Sequence, residues 1–196
     1  EVVDGELVLI DAGVEVDTLY TADVTRTLPV NGRFTAAQRR VYDAVLAAQT
    51  AGIEACRAGA LFADVHRAAI TVLAGFFEEL GILPVSAAES IEVSGGQHRR
   101  WMVHGTSHHL GLDVHDCAHA RAETYRQGTL RAGMVITVEP GVYFKSTDLL
   151  VPEEYRGIGV RIEDDILITD GDPVNLSAAL PRAADDVEAW LAQARA

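Results

Sequence analysis

The sequence predicts an α+β domain, with helices packed on one face of a largely antiparallel sheet. Short β-type runs cluster near the start and again in the last third, and helical periodicity fills much of the stretch between them. No regular strand–helix–strand alternation links the two blocks, which argues against a parallel α/β sheet.

Leu7-Val8-Leu9-Ile10 and Val24-Thr25-Arg26-Thr27-Leu28 flank turn-forming Gly13 and Asp17, the pattern of a hairpin, with Pro29 and Asn31-Gly32 ending it. Thr35 is placed to cap a helix from Ala36 to about Arg57, and Gly59 to stop it. Phe62, Val65, Ala69, Val72, Leu73, Phe76, Phe77 and Leu80 recur at intervals of three and four, which predicts a second helix ending at Gly81. From Pro84 to about Arg100 the periodicity gives way to Ser, Gly and charge, as in a loop inside the domain. Met134–Val138 and the stretch from Val160-Arg161-Ile162 through Ile166-Leu167-Ile168 read as strands separated by a Pro- and Gly-containing connection, and Ala183–Ala194 as a closing helix.

A chain of 196 residues with 48% hydrophobic content can bury one sizeable core, so a single domain over 1–196 is expected. No apolar run approaches the roughly 18–20 residues that span a bilayer, and no signal-peptide pattern opens the chain. A net charge of −13 without a basic stripe makes nucleic acid and membrane poor partners. Cys56 and Cys117 are far apart and form no metal or redox pair, so both read as ordinary buried thiols of a cytoplasmic protein.

The chemistry lies in acids set within apolar, strand-like segments: Asp11 after Leu7–Ile10, Glu139 after Met134–Val138, and Glu163 after Ile162. An ionised carboxylate buried alone costs several kcal/mol, so each needs a cation, an arginine or hydrogen bonds. Asp11, Asp23, His108, Glu139 and Glu163 offer four carboxylates and one imidazole, whose charge would balance two divalent cations. Mostly oxygen donors suit harder ions, Mn²⁺ first, with Zn²⁺, Co²⁺ or Fe²⁺ also compatible.

Ile10-Asp11-Ala12-Gly13, Ala22-Asp23-Val24-Thr25-Arg26-Thr27, His104-Gly105-Thr106-Ser107-His108, Gly111-Leu112-Asp113-Val114-His115-Asp116, Val138-Glu139-Pro140-Gly141 and Arg161-Ile162-Glu163-Asp164-Asp165 follow one another along the chain. In this order they resemble the signature of the pita-bread metallopeptidases. The longer stretches Thr25–Gly32 and Tyr155–Asp165 resemble the aminopeptidase P (Xaa-Pro aminopeptidase) branch.

The resemblance implies a curved antiparallel sheet with helices outside, and hydrolysis of an N-terminal Xaa-Pro bond by a water or hydroxide held between two metals. It implies Asp11 on one metal, His108 and Glu139 on the other, and Asp23 and Glu163 bridging. It gives His104 and His115 substrate-contacting roles. Arg161, two residues before Glu163, would share its face and orient carboxylates around the metals. Short peptides with proline second are the implied partners. A dipeptide-cleaving prolidase and a non-catalytic peptide-binding module are the competing readings.

His98, His109 and His119 receive no role, and His66 is expected at an exposed or capping position of the second helix. Asp164 and Asp165 are expected to support the ligands or lie at the surface. Asp23 stands one position further from Asp11 than the family usually places it, an insertion that the hairpin turn around Asp17–Tyr20 can absorb. The family also carries an upstream half with an active-site histidine and a separate N-terminal domain. The chain is therefore expected to be the C-terminal portion of a longer catalytic fold, poorly active alone and inclined to self-association or to pairing with the missing half.

Overall fold

A computed structural model describes residues 1–116, 121 and 123–195. Strands β1 (Leu7–Glu15) and β2 (Thr21–Pro29) form an antiparallel hairpin in which Asp11 faces Thr25 and Gly13 faces Asp23. Residues opposite one another in such a pair project from the same face, so Asp11, Asp23 and Thr25 share one. A Cβ on Gly13 would lie 2.4 Å from the Ala22 carbonyl oxygen, so only glycine fits there.

The hairpin tip is closed by the Val16 amide donating to Tyr20 O (3.0 Å) and the Leu19 amide to Val16 O (2.7 Å), with Leu19 left-handed at φ 68°. The pairing runs without a bulge from Leu7–Pro29 to Glu15–Thr21, so residues 16–20 alone make up the tip between the two acids. Both strands outrun their apolar runs, and Pro29, expected to end the hairpin, is its last member, opposite Leu7.

Helix α1 (Ala36–Ala55) begins with the predicted cap: Thr35 Oγ1 accepts from the Gln38 amide, and Gln38 Oε1 accepts from the Thr35 amide. It ends just before Cys56, and Gly59 follows at φ 92°. Helix α2 (Phe62–Glu79) turns its apolar stripe inward and is followed by Gly81 at φ 70°. The stretch expected as loop holds a short helix, α3 (Ala87–Ile91), capped by Ser86, and a 3-10 turn at Gln97–Arg100. A helix of barely more than one turn cannot display helical periodicity, which is why the sequence hides it.

Strands β3 (Val135–Val138), β6 (Asp164–Leu167) and β7 (Val174–Asn175) pair antiparallel, as do β4 (Gly141–Tyr143) and β5 (Gly159–Arg161). β4 and β7 are too short to show alternation and escape a sequence reading. Glu163 lies between β5 and β6, where its amide donates to Thr25 O at 3.1 Å and carries the pairing onto β2. The chain closes with α4 (Ala184–Ala194).

One core joins Val41, Tyr42, Leu73, Phe77, Trp101, Phe144 and Ile162; a second joins Cys56, Phe62, Val65, Ile136, Val138 and Ile166. The helices thus cover one side of the strands, as α+β predicts. Cys56 is buried, and burial pushes its thiol up to about 12, whereas Cys117 and His119 lie outside the described residues. Among the described residues, no helix is long and apolar enough to cross a membrane.

Candidate metal centre

Separate chain segments deliver the predicted donors to one place. β1 and β2 carry Asp11 and Asp23, and Glu139 follows the end of β3. The strip 106–110 runs beside β3: the Glu139 amide donates to Thr106 O (2.7 Å), the Thr137 amide to His108 O (2.9 Å) and the Leu110 amide to Val135 O (3.1 Å). This pairing fixes His108 opposite the strand end that leads into Glu139.

His108 Nε2 lies 3.4 Å from Asp23 Oδ2, 3.7 Å from Glu139 Oε1 and 4.0 Å from Glu163 Oε1. Donor atoms of Asp11, Asp23 and Glu163 lie within 4.8 Å of one another, as do those of His108, Glu139 and Glu163. All five sequence-predicted ligands come together, with Glu163 common to both groups. Asp23, His108 and His115 form a third such group, and the His115 ring sits 4.4 Å from that of His108. His115, expected only to meet substrate, therefore also stands within reach of the donors.

Asp11 is exposed, so the need to pair a buried charge does not explain it. Its carboxylate is nevertheless paired with Arg161 Nη2. The same guanidinium donates through Nη1 to the Tyr143 hydroxyl (3.0 Å) and through Nε to Thr25 Oγ1 (3.1 Å), and Thr25 Oγ1 donates in turn to Glu163 Oε2 (2.6 Å). Arg161 and Glu163 thus meet through Thr25. His104 Nε2 lies 2.7 Å from the Tyr143 hydroxyl, and its Nδ1 3.8 Å from Glu139 Oε2.

Thr25 and Tyr143 had no role in the sequence reading. Thr25 stands two positions after Asp23, a spacing that puts it on the same strand face and could have revealed it. Tyr143 lies in β4, which has no strand signature. Neither Asp164 nor Asp165 is a surface acid. Asp164 is buried and accepts from Arg26 Nη2 (2.7 Å), Gln49 Nε2 (3.0 Å) and Asn175 Nδ2 (3.0 Å), while Asp165 Oδ2 accepts from the Asp23 amide (3.2 Å). His66 is likewise neither a cap nor fully exposed: its Nδ1 lies 2.7 Å from Thr106 Oγ1. Of the histidines left without a role, His98 is tied to Ser90 and His109 stacks on Phe62.

Burial, reinforced by Glu139, pushes the Glu163 carboxyl up to about 8. Burial also pushes Glu139 up to about 7, against the pull of Arg161, and raises Asp23 with help from Asp11. The His104 and His108 imidazoles are held below their ordinary value by the same desolvation, so each offers a neutral lone pair. Crowded carboxyls that surrender protons to a cation, beside a neutral imidazole, are a donor set that fits divalent metal.

The model of the metallopeptidase family M24 matches residues 1–170. The chain belongs to metallopeptidase family M24. Among M24 proteins it is 57% identical over 188 residues to Xaa-Pro aminopeptidase 1 of Streptomyces coelicolor, covering 96% of this chain and 38% of that protein. It is 44% identical over 195 residues to the Xaa-Pro aminopeptidase of Escherichia coli, covering 100% and 43%. Its structure matches that of E. coli aminopeptidase P with the inhibitor Pro-Leu at a TM-score of 0.90 and 44% identity, over 98% of this chain and 42% of that one. This likeness bears out the pita-bread arrangement. The chain spans about two-fifths of the length of the M24 relatives it matches.

Proposed function

We propose that this M24 chain carries the metal centre of a dinuclear Xaa-Pro aminopeptidase, which hydrolyses the bond between the first residue of a short peptide and a following proline. The observation that carries the reading is the pair of donor groups, Asp11–Asp23–Glu163 and His108–Glu139–Glu163, that share a carboxylate. Asp11 would hold one ion, His108 and Glu139 the other, and Asp23 and Glu163 both, with Mn²⁺ favoured by the oxygen-rich set. Two such ions supply Lewis acidity and a water acidified enough to attack a carbonyl near neutral pH.

The chain's own residues do the rest. Glu139, as a ligand, would give up its proton to the cation, and His104 Nδ1 lies 3.8 Å from its Oε2. His104 and His115 flank the donors and can donate to a developing oxyanion or hold the peptide. Arg161 keeps Asp11, Thr25 and Tyr143 in register around them.

The exposed apolar residues Ile10 and Val14 of β1 and Val114, which lines a cavity with Asp11 and Asp23, favour cover by a complementary half or a second copy of the chain. The two cysteines, far apart in sequence and without CxxC spacing, favour a cytoplasmic setting. The test is to give the Mn²⁺-loaded full-length protein a Xaa-Pro-Yaa tripeptide and a Xaa-Pro dipeptide. Release of the first residue from the tripeptide is expected, and Glu139→Ala should abolish it. Cleavage of the dipeptide alone would establish a prolidase instead, and cleavage of neither would favour a binding module.

A further inference from the structure

His66 projects from α2 onto the back of the strip that carries His108. Its Nδ1 lies 2.7 Å from Thr106 Oγ1, and Thr106 is almost fully buried. The carbonyl of Thr106 accepts the Glu139 amide at 2.7 Å, and the strip is pinned again two residues on, where Thr137 Oγ1 accepts the His108 amide at 3.1 Å. One face of the strip is therefore fastened to β3, and at Thr106 the other is fastened to α2 by a side-chain hydrogen bond. A cavity of about 250 Å³ lined by His66, His98, Met102, His104 and Gly105 lies beside this bond, so packing alone leaves that side of the strip loosely supported.

We propose that His66 is a positioning residue for the metal centre: its bond to the Thr106 hydroxyl holds the 104–108 strip against β3, and so sets the aim of His108 and Glu139 at the metal. The inference rests on the dinuclear reading above, but it concerns a residue that touches neither donor. Burial holds the His66 ring below its ordinary value, at about 4, so it stays neutral and can accept from the hydroxyl. Losing the bond leaves a buried hydroxyl without its partner and frees the strip to shift, and small errors in ligand aim are felt directly in metal binding.

The experiment is a calorimetric titration of Mn²⁺ into the metal-stripped full-length protein, with steady-state kinetics on the tripeptide beside it. His66→Phe, which keeps a ring but no acceptor, should weaken Mn²⁺ binding by about tenfold and lower kcat with KM nearly unchanged. His66→Asn, whose amide reaches the position of Nδ1, should recover most of both. Thr106→Val should resemble His66→Phe, and the double variant should lose no more than either single one. Circular dichroism and melting of each variant separate misfolding from misplacement, and the Asn variant keeps the test open if Phe does not fold. A wild-type protein that binds Mn²⁺ but leaves the tripeptide intact would defeat the peptidase reading and leave the titration to judge His66. Wild-type Mn²⁺ affinity in a folded His66→Phe protein, no recovery in a folded His66→Asn protein, or additive losses in the double variant would overturn the positioning role, and so would a wild-type protein that takes up no Mn²⁺.

Discussion

β1 and β2 are hydrogen-bonded along their whole length and each carries one acid of the centre, yet the two acids are held in different ways. The Asp23 side chain is 12% exposed and that of Asp11 is 48% exposed. β2 is buried for most of its length and lies between β1 and the 161–163 segment, which bonds to Thr25 and Thr27. β1 is exposed from Ile10 to Glu15, and among the described residues β2 is its only strand partner. Asp23 is therefore fixed by packing and by its amide bond to Asp165, whereas Asp11 is aimed chiefly by one guanidinium. Similar donors can draw their precision from the core or from a single ion pair, and the second source is the easier to remove.

The contrast in burial should show first in stability. Leu28→Ala on β2 removes core contacts and should cost about 2–4 kcal/mol in denaturant unfolding. Ile10→Ala on β1 should change stability by no more than about 0.5 kcal/mol. Equal losses would mean that the two strands are packed alike.

Arg161→Ala strikes the weaker support. A fall of about 10–100-fold in kcat/KM is expected, with faster amide exchange in β1 and little change in β2. Arg161→Lys should not restore activity, because an ammonium cannot serve Asp11, Thr25 and Tyr143 from one planar fork. Full rescue by lysine would reduce the contact to simple charge.

A smaller effect separates the buried carboxylates from the exposed one. In the metal-stripped protein, folded Glu163 keeps its proton to about pH 8, while the unfolded chain releases it near the ordinary 4.5. The folded state then binds more protons than the unfolded one, so this contribution is complete below about 4.5 and is lost as pH rises through 8. Between about pH 7 and 8.5 the wild type should lose on the order of 1 kcal/mol more than Glu163→Gln. The histidines that burial holds neutral change mainly below that window and are common to both proteins. Identical slopes for the two proteins would contradict the buried, protonated state of Glu163.

Much of this was legible from residue order alone. A cap and a stop residue located α1, and periodicity located α2, since an apolar stripe on a long helix repeats often enough to be read. The converging donors were readable as candidates because acids at the ends of apolar runs are costly and because the surrounding motifs resemble known ones. Short elements such as α3, β4 and β7 were not readable, for they contain too few residues to repeat a pattern. The exposure of Asp11 was hidden because Leu7–Ile10 is apolar whether or not the strand it begins is covered. The bond between His66 and Thr106 joins positions forty apart, and only the packing of α2 against the 104–108 strip creates it.

The account stands on two ions sharing the carboxylates of a half-open hairpin and a buried strand junction. Anomalous diffraction at the manganese edge from Mn²⁺-loaded crystals of the full-length protein tests that claim directly. Two peaks are expected, both touching Asp23 and Glu163, one completed by Asp11 and the other by His108 and Glu139. A single peak, or two peaks with Asp11 or Glu139 turned away from both, would contradict it.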